Sequence, residues 1–193
     1  MPRIDNEKFY KSAIEMFGTT AKGVNWHSKE YQKIRFDMIL ALLPKKLNKF
    51  SLIDAGCGFG DLYIYLDKKN KLPKIYTGID SLLDMYSIAS EKTGQEIILA
   101  DITRDKLPEA DYYICSGAMN VLKKFETHLF IRNCYEASKI GFVFNILHGD
   151  KDSETYNYFT RTSIKKIASD LNVKDIVFKD EYIKDDITVG FYK

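Results

Sequence analysis

The sequence predicts an α/β protein with a doubly wound, mostly parallel, seven-stranded sheet between two helical layers, a three-layer sandwich that ends in an antiparallel hairpin. Three observations predict this fold. A short apolar strand at 51–55 runs into a glycine-rich turn and then a helix. Strand and helix patterns alternate from 51 to 171. Finally, too few residues separate the alternating segments 175–183 and 187–192 for a crossover, so these segments must pair as a hairpin.

Length and composition favour one soluble domain over residues 1–193. The chain has 45% hydrophobic and 29% charged residues and a net charge of +2, which gives no electrostatic reason to expect a nucleic-acid or membrane partner. It has no apolar run of about 18 residues, and its first residues contain no hydrophobic signal core, so we expect a cytoplasmic protein. The composition does not indicate an oligomeric state.

The three cysteines, Cys57, Cys115 and Cys134, are isolated and match no zinc-binding spacing. Free cysteines of this kind usually fill small gaps in a core. The sequence therefore predicts neither a metal site nor a disulfide.

Two helices precede the first strand, and we expect residues 1–45 to form a helical cap or lid. The first is predicted over 5–17, and the second runs from an N-cap at Ser28 to Leu43. The residues expected to face the core from the second helix are Tyr31, Ile34, Met38 and Leu42.

The glycine-rich turn predicts a nucleotide-like ligand. Gly56, Gly58 and Gly60 alternate just before a helix, where glycine permits positive φ and lets a ligand approach the backbone closely. The unpaired N–H groups at the start of that helix would face the ligand. A dinucleotide-binding fingerprint would need glycine at position 61, but the residue is Asp61, whose carboxylate would face a pyrophosphate.

The stretch Asp54-Ala-Gly-Cys-Gly-Phe-Gly60 resembles the first motif of the class I S-adenosylmethionine-dependent methyltransferases, of the small bacterial single-domain type with a Rossmann-like fold. That cofactor has no phosphate and carries a positive sulfonium and amine, so acidic residues suit it. The resemblance implies S-adenosylmethionine as cofactor, S-adenosylhomocysteine as product and methyl transfer as the activity. The cofactor contacts that it implies in this stretch are Asp54, Gly56, Cys57, Gly58, Gly60 and Asp61.

A second acid follows the next strand. The strand over 74–79 ends in Asp80, which lies 20 residues after Gly60. An acid at the tip of the second parallel strand can accept hydrogen bonds from both ribose hydroxyls. The resemblance assigns that role to Asp80, with Ser81 beside it; the alternative is a simple acid flanking a helix.

The third and fourth strands supply further contacts that the resemblance implies. A strand over 95–100 is followed by Asp101 and Ile102, which correspond to adenine contacts. The fourth strand, 112–115, leads into Ser-Gly-Ala-Met-Asn, where related amino-group methyltransferases often have Asp/Asn-Pro-Pro-aromatic. The prolines and the aromatic residue are missing, which argues against methylation of adenine or of a glutamine amide and leaves the substrate class open. We expect an unidentified small-molecule acceptor. The implied cofactor contacts here are Ser116 and Gly117, and the implied substrate contacts are Asn120 and, in a polar segment downstream, Tyr156.

The segment Asn-Trp-His-Ser, with Gln and Arg-Phe downstream, is similar to one that precedes the glycine motif in many small bacterial methyltransferases. The similarity implies that Trp26 closes over the cofactor while Arg35, with Gln32 on the same helix face, reaches its carboxylate, which a guanidinium binds well. In the alternative interpretation Trp26 fills a gap between helix and sheet, and His27, Gln32 and Arg35 are solvated.

A helix over 124–139 and an apolar strand over 141–147 bring His148 to the ligand edge of the sheet. His148 is the one candidate general base, because it stands at the right strand end and histidine is a common general base near neutral pH; a capped strand end is the alternative. Two other functions stay open: a binding module that retains the cofactor without catalysis, and a nicotinamide-dependent oxidoreductase, against which Asp61 and the terminal hairpin count.

Overall fold

The computed structural model describes residues 6–18, 20 and 28–193. The helices are α1 (Asn6–Phe17), α2 (Lys29–Leu42), α3 (Asp61–Lys68), α4 (Leu83–Thr93), α5 (Lys124–Ala137) and α6 (Arg161–Asp170). The strands are β1 (Ser51–Ala55), β2 (Ile75–Asp80), β3 (Glu96–Leu99), β4 (Ala110–Ser116), β5 (Ser138–Leu147), β6 (Asp175–Lys179) and β7 (Asp186–Tyr192). Short 3₁₀ turns lie at Leu47–Lys49 and Ala118–Val121.

The strands form one sheet in the order β3-β2-β1-β4-β5-β7-β6. The first five are parallel, and β7 runs antiparallel to both β5 and β6. In register, Asp54 lies opposite Gly78 of β2 and Ile114 of β4, so the carboxyl ends of these strands meet at one edge. This topology confirms the predicted doubly wound sheet with one reversed strand.

Side-chain alternation in the strands builds a core on each face of the sheet. On one face α5 and α6 cover Ile53, Phe142 and Phe144. On the other, α2 and α3 cover Leu52 and Val143. Neighbouring residues of one strand therefore belong to different layers, as a three-layer sandwich requires. None of the described helices is both long and apolar enough to cross a lipid bilayer.

The inward face of α2 differs from the predicted one. Tyr31 is 42% exposed, and the residues that α2 buries are Gln32, Phe36 and Ile39. The apolar residues of α2 occur on most sides of the helix, so their spacing alone did not define one inward face. The contact with the sheet selects the face at i, i+4, i+7, and this choice places Gln32 inside the protein.

The connection between the last two strands is longer than predicted. It spans 180–185, and Glu181 and Asp185 reverse the chain with φ of 64° and 61°. Asp186, which lies between the two segments predicted as strands (175–183 and 187–192), is the first residue of β7, and its carboxylate is buried.

Candidate functional site

A cavity opens at the carboxyl edge of the sheet, where the tips of β1, β2, β3 and β4 meet. It brings together most of the side chains that the sequence predicted for cofactor and substrate. The predicted residues that line it are Arg35, Asp54, Gly56, Cys57, Gly58, Asp61, Asp80, Ser81, Asp101, Ile102, Ser116, Gly117, Asn120 and Tyr156. Gly60 does not line the cavity; with φ of 72° it begins α3 and packs beside Ala89 and Thr93. Trp26 and His27 fall outside the described residues.

We call the glycine-rich turn after β1, residues 56–60, the glycine loop. Its own backbone holds it against the end of β2. The N–H groups of Gly56 and Cys57 donate to the Ile79 carbonyl at 2.7 and 3.0 Å. Gly56 has φ of 73°, and a Cβ on it would overlap the Cβ of Ala118. Gly56 is therefore required both by conformation and by space.

We expect Gly56→Ala to destabilise the protein by about 3 kcal/mol or more, because left-handed strain and a steric clash add up. Gly94→Ala is the matched control: Gly94 has φ of 63° but nothing within 4 Å of its Cβ position, so only strain of about 1 kcal/mol is expected. Thermal melts of the two variants measure the difference. Equal losses would show that close packing against Ala118 does not matter.

Asp80 connects the tip of β2 to the glycine loop. Its carboxylate accepts hydrogen bonds from the N–H groups of Gly58 (2.9 Å) and Leu82 (3.1 Å). The residue is 9% exposed and lines the cavity. Burial raises the pKa of Asp80, while these backbone donors lower it. The site thus holds a fixed carboxylate that can accept further hydrogen bonds from a ligand.

Asp54 at the tip of β1 is also buried, and its Oδ2 accepts a hydrogen bond from the Tyr76 hydroxyl at 2.8 Å. Burial, and then the charges of Asp80 and Asp61, raise the pKa of Asp54 to about 7, although the Tyr76 hydrogen bond opposes the shift. A positive ligand beside Asp54 would favour its ionised form.

Asp61, in the first turn of α3, connects three elements. It accepts a hydrogen bond from Gln32 Nε2 at 3.0 Å and pairs with Lys92 Nζ of α4. Gln32 therefore holds α2 onto the glycine loop, which explains why α2 turns this polar residue inward.

Asp101 and Ile102 follow β3 at the far side of the cavity. Asp101 Oδ1 accepts from both the N–H (2.9 Å) and the hydroxyl (2.7 Å) of Thr103. Ile102 is 5% exposed, and its carbonyl accepts from Asn133 Nδ2 at 2.8 Å. The local turn thus presents one acid beside one apolar side chain, a combination suited to a planar, polar-edged ring.

The tip of β4 carries polar groups with fixed orientations. The Ser116 hydroxyl donates to Asn145 Oδ1 at 2.8 Å. Asn120 Oδ1 accepts from the Leu147 N–H at 3.2 Å, which fixes the side-chain amide. Tyr156 is 38% exposed at the cavity wall.

Several residues at the cavity were missed by the sequence analysis. Phe9 and Tyr10 of α1 line it, and burial, with Asp80 nearby, raises the pKa of the Tyr10 phenol. Behind the cavity wall, the predicted residue Arg35 pairs with the buried carboxylate of Asp186, which does not itself line the cavity and was also missed. A period-two pattern in β7 marks the position of Asp186: Asp186, Thr188 and Gly190 alternate with Ile187, Val189 and Phe191.

His148, the predicted general base, is not among the residues that line the cavity. Its N–H donates to the Asp185 carbonyl at 2.9 Å, and it forms a β-bridge with Phe159. These contacts hold His148 at the end of β5 outside the cavity, so the structure does not bring it to the other predicted residues.

The cysteines are buried, as expected. Cys57, Cys115 and Cys134 are 8%, 0% and 0% exposed, and burial raises the pKa of all three thiols, so none is a reactive thiolate. Among the described residues, no group of histidine, cysteine and acidic side chains is arranged to hold a metal ion.

Comparison with known proteins gives one curated relative and many similar structures. The chain is 36% identical over 118 residues to "Putative methyltransferase Rv1506c" of Mycobacterium tuberculosis, an alignment that covers 54% of this chain and 67% of the relative. No family model matches the chain.

Two solved structures illustrate the structural likeness. Magnesium protoporphyrin IX methyltransferase of Synechocystis with bound S-adenosylhomocysteine superposes with a TM-score of 0.68 at 15% identity, covering 88% of this chain and 90% of that one. Human N-acetylserotonin methyltransferase in complex with S-adenosylmethionine gives 0.67 at 18% identity, covering 94% and 62%. At such low identities these structures establish the fold.

Proposed function

Because the chain belongs to the class I S-adenosylmethionine-dependent methyltransferase family, we propose that it binds S-adenosylmethionine in the cavity and transfers the methyl group to a small-molecule acceptor. The observation that carries this proposal is the fixed carboxylate of Asp80, which the glycine loop and Leu82 hold at the tip of β2. A ribose would find there an acceptor for its two hydroxyls.

The charges around the cavity support the same cofactor. Asp54, Asp61 and Asp80 lie at or beside the glycine loop, where a dinucleotide would place its pyrophosphate. Three carboxylates would repel that group, whereas they attract a sulfonium and an ammonium. Asp101 and Ile102 would receive the adenine, and the amino-acid part would extend toward Ser116 and Arg35.

In the proposed reaction the acceptor attacks the methyl carbon in line with the departing sulfur, and the carbon–sulfur bond breaks as the new bond forms. The protein contributes alignment and exclusion of water. Phe9 and Tyr10 of α1 and Phe36 of α2 supply apolar surface at the cavity for this purpose. The position of His148 gives no support to its role as a base, so we favour an acceptor that needs none, such as a carboxylate or a thiolate.

We also propose that the chain is one methyltransferase domain in which residues 1–45 form the cap. Side chains from both described N-terminal helices, such as Tyr10 and Gln32, line the cavity and support this proposal. Trp26, in the segment between these helices, keeps its proposed role over the cofactor. The near balance of charge favours a small acceptor over a nucleic acid.

The proposed cofactor is tested by thermal melts with S-adenosylmethionine, S-adenosylhomocysteine, NADH or buffer. A ligand at about a hundred times its dissociation constant adds about 2.7 kcal/mol, so for this chain length we expect a rise of roughly 5–10 °C with the two adenosyl ligands alone. A rise with NADH instead would indicate an oxidoreductase. Binding without methyl transfer to any acceptor in a broad screen would support a non-catalytic module.

A further inference from the structure

A series of polar side chains runs through the interior from one wall of the cavity to the other. In order of contact its members are Ser116, Asn145, Thr188, Tyr182, Asp186 and Arg35, and we call it the buried polar chain. Both terminal residues line the cavity. Asn145 and Thr188 are 0% exposed and Asp186 is 3% exposed, so the middle of the chain is shielded from water.

The direction of every hydrogen bond in the chain follows from Asp186. An ionised carboxylate only accepts, so the Tyr182 hydroxyl must donate to Asp186 across their 2.6 Å contact. A phenol has one proton, so the 2.8 Å contact between Tyr182 and Thr188 must be donated by the threonine. Thr188 in turn accepts from Asn145 Nδ2 at 2.6 Å.

This direction fixes what each end offers to a ligand. With its Nδ2 turned to Thr188, Asn145 presents Oδ1 to Ser116, whose hydroxyl donates to it at 2.8 Å. Ser116 has then used its one proton and offers only lone pairs to the cavity. At the other end Asp186 neutralises and holds Arg35, whose guanidinium can only donate.

We propose that the interior members of the buried polar chain orient the two residues between which the amino-acid part of the proposed cofactor would lie, so that Ser116 accepts from its ammonium and Arg35 donates to its carboxylate. The proposal deepens the proposed function and rests on it. Asn145, Thr188, Tyr182 and Asp186 do not line the cavity, so their proposed role is positioning: they set one end of the site as an acceptor and the other as a donor.

Burial makes this arrangement effective. A guanidinium placed beside a cavity without a partner would carry a large desolvation cost, which Asp186 offsets. Water cannot replace a missing member at Thr188 or Asn145, because neither side chain is exposed. Removing one hydroxyl from the middle therefore frees the groups on both sides to reorient.

The test removes the hydroxyl at the centre of the chain. Thr188→Val keeps the shape of the side chain, and calorimetry measures the affinity of the variant for S-adenosylhomocysteine and for 5′-methylthioadenosine, which lacks the amino-acid part. We expect the affinity for S-adenosylhomocysteine to fall roughly tenfold, the effect of losing one hydrogen bond to a charged group, and that for 5′-methylthioadenosine to stay unchanged.

Thr127→Val is the matched control. Thr127 is also 0% exposed and also accepts a hydrogen bond from an asparagine, Asn157 Nδ2, at 3.1 Å. It does not belong to the buried polar chain and does not line the cavity. Its substitution should leave the ratio of the two affinities unchanged. An equal change of the ratio in both valine variants would overturn the proposal, because general loosening would then explain it.

If Thr188→Val does not fold, Tyr182→Phe removes the next hydroxyl at a half-buried position and should change the same ratio. Decarboxylated S-adenosylhomocysteine, which keeps the amine, separates the two ends: Tyr182→Phe should weaken it less than the complete ligand. A wild-type protein that binds neither adenosyl compound contradicts the proposed function itself. A different result is that the wild-type protein prefers S-adenosylhomocysteine to 5′-methylthioadenosine while Thr188→Val and Tyr182→Phe retain this preference in full. That result contradicts only the role proposed for the buried polar chain.

Discussion

Replacing Asp80 with alanine is expected to reduce the affinity for S-adenosylmethionine by about a hundredfold or more. Two hydrogen bonds from ribose hydroxyls to a carboxylate contribute about 3 kcal/mol together, which corresponds to that factor. The substitution also removes the acceptor of the Gly58 and Leu82 N–H groups, so the empty loop loses its fixed shape. Calorimetric titration measures the loss, and a melt of the unliganded variant shows whether it folds.

Asp84→Ala controls for the loss of a negative charge near the cavity. Asp84 is an exposed acid in the first turn of α4, only four residues further along the chain. We expect its removal to leave the affinity nearly unchanged, since exposed charges are screened by water and salt. Comparable losses in the two variants would mean that the ribose does not bind at Asp80.

Asp54→Asn is expected to stabilise the unliganded protein at neutral and alkaline pH while it weakens cofactor binding. The folded-state pKa of Asp54 is about 7, because burial disfavours its charge. An unfolded aspartate has a pKa of about 3.9, so ionising this buried group costs about 4 kcal/mol once the pH exceeds both values. Asparagine avoids that cost and can still accept the Tyr76 hydrogen bond.

Because folding raises the pKa of Asp54, the stabilisation by Asp54→Asn should depend on pH. The pKa of Asp54 is higher in the folded state, so the contribution of this group to stability is complete below about pH 4 and is lost as the pH rises through about 7. The melting-temperature advantage of Asp54→Asn should therefore be small at pH 4, grow as the pH rises and reach the order of 10 °C at pH 8. Asp67→Asn, at an exposed acid of α3, should show no such growth.

The ionisation of Asp54 should also make the affinity for the cofactor depend on pH. A cationic cofactor favours the charged carboxylate, so the affinity of the wild-type protein for S-adenosylmethionine should increase between pH 6 and pH 8, with a proton released on binding below pH 7. Asp54→Asn should bind more weakly and lose this dependence. An affinity that is flat across this range in the wild-type protein would mean that Asp54 does not interact with the positive groups.

The parts of the site that the sequence predicted are those that local pattern determines. Asp54, Asp80 and Asp101 each follow an apolar strand, and parallel strands place their carboxyl ends at one edge. Their meeting in one cavity therefore follows from the order of strands and helices alone. The glycine spacing likewise determined which ligand class the loop suits.

The parts that escaped prediction depend on contacts between distant segments. Arg35 meets Asp186 only because β7 inserts beside β5, and nothing near Arg35 in the sequence reports this. The sequence left the inward face of α2 ambiguous because the helix has apolar residues on most of its sides. The hydrogen bond between Gln32 and the distant Asp61 selects the face that is buried. His148 failed to reach the cavity because the segment after β5 pairs with Phe159, a contact made outside the regular sheet.

The place of β7 has a consequence for how the protein emerges from the ribosome. β6 is synthesised before β7, yet in the sheet it pairs only with β7. Until residues 186–192 leave the exit tunnel, β5 has an open edge and β6 has no strand to join. The nascent chain can assemble the glycine loop and its acids early, but Arg35 gains its counter-ion only when Asp186 arrives. We therefore expect nascent chains stalled before β7 to expose an aggregation-prone edge and to hold an incomplete cavity.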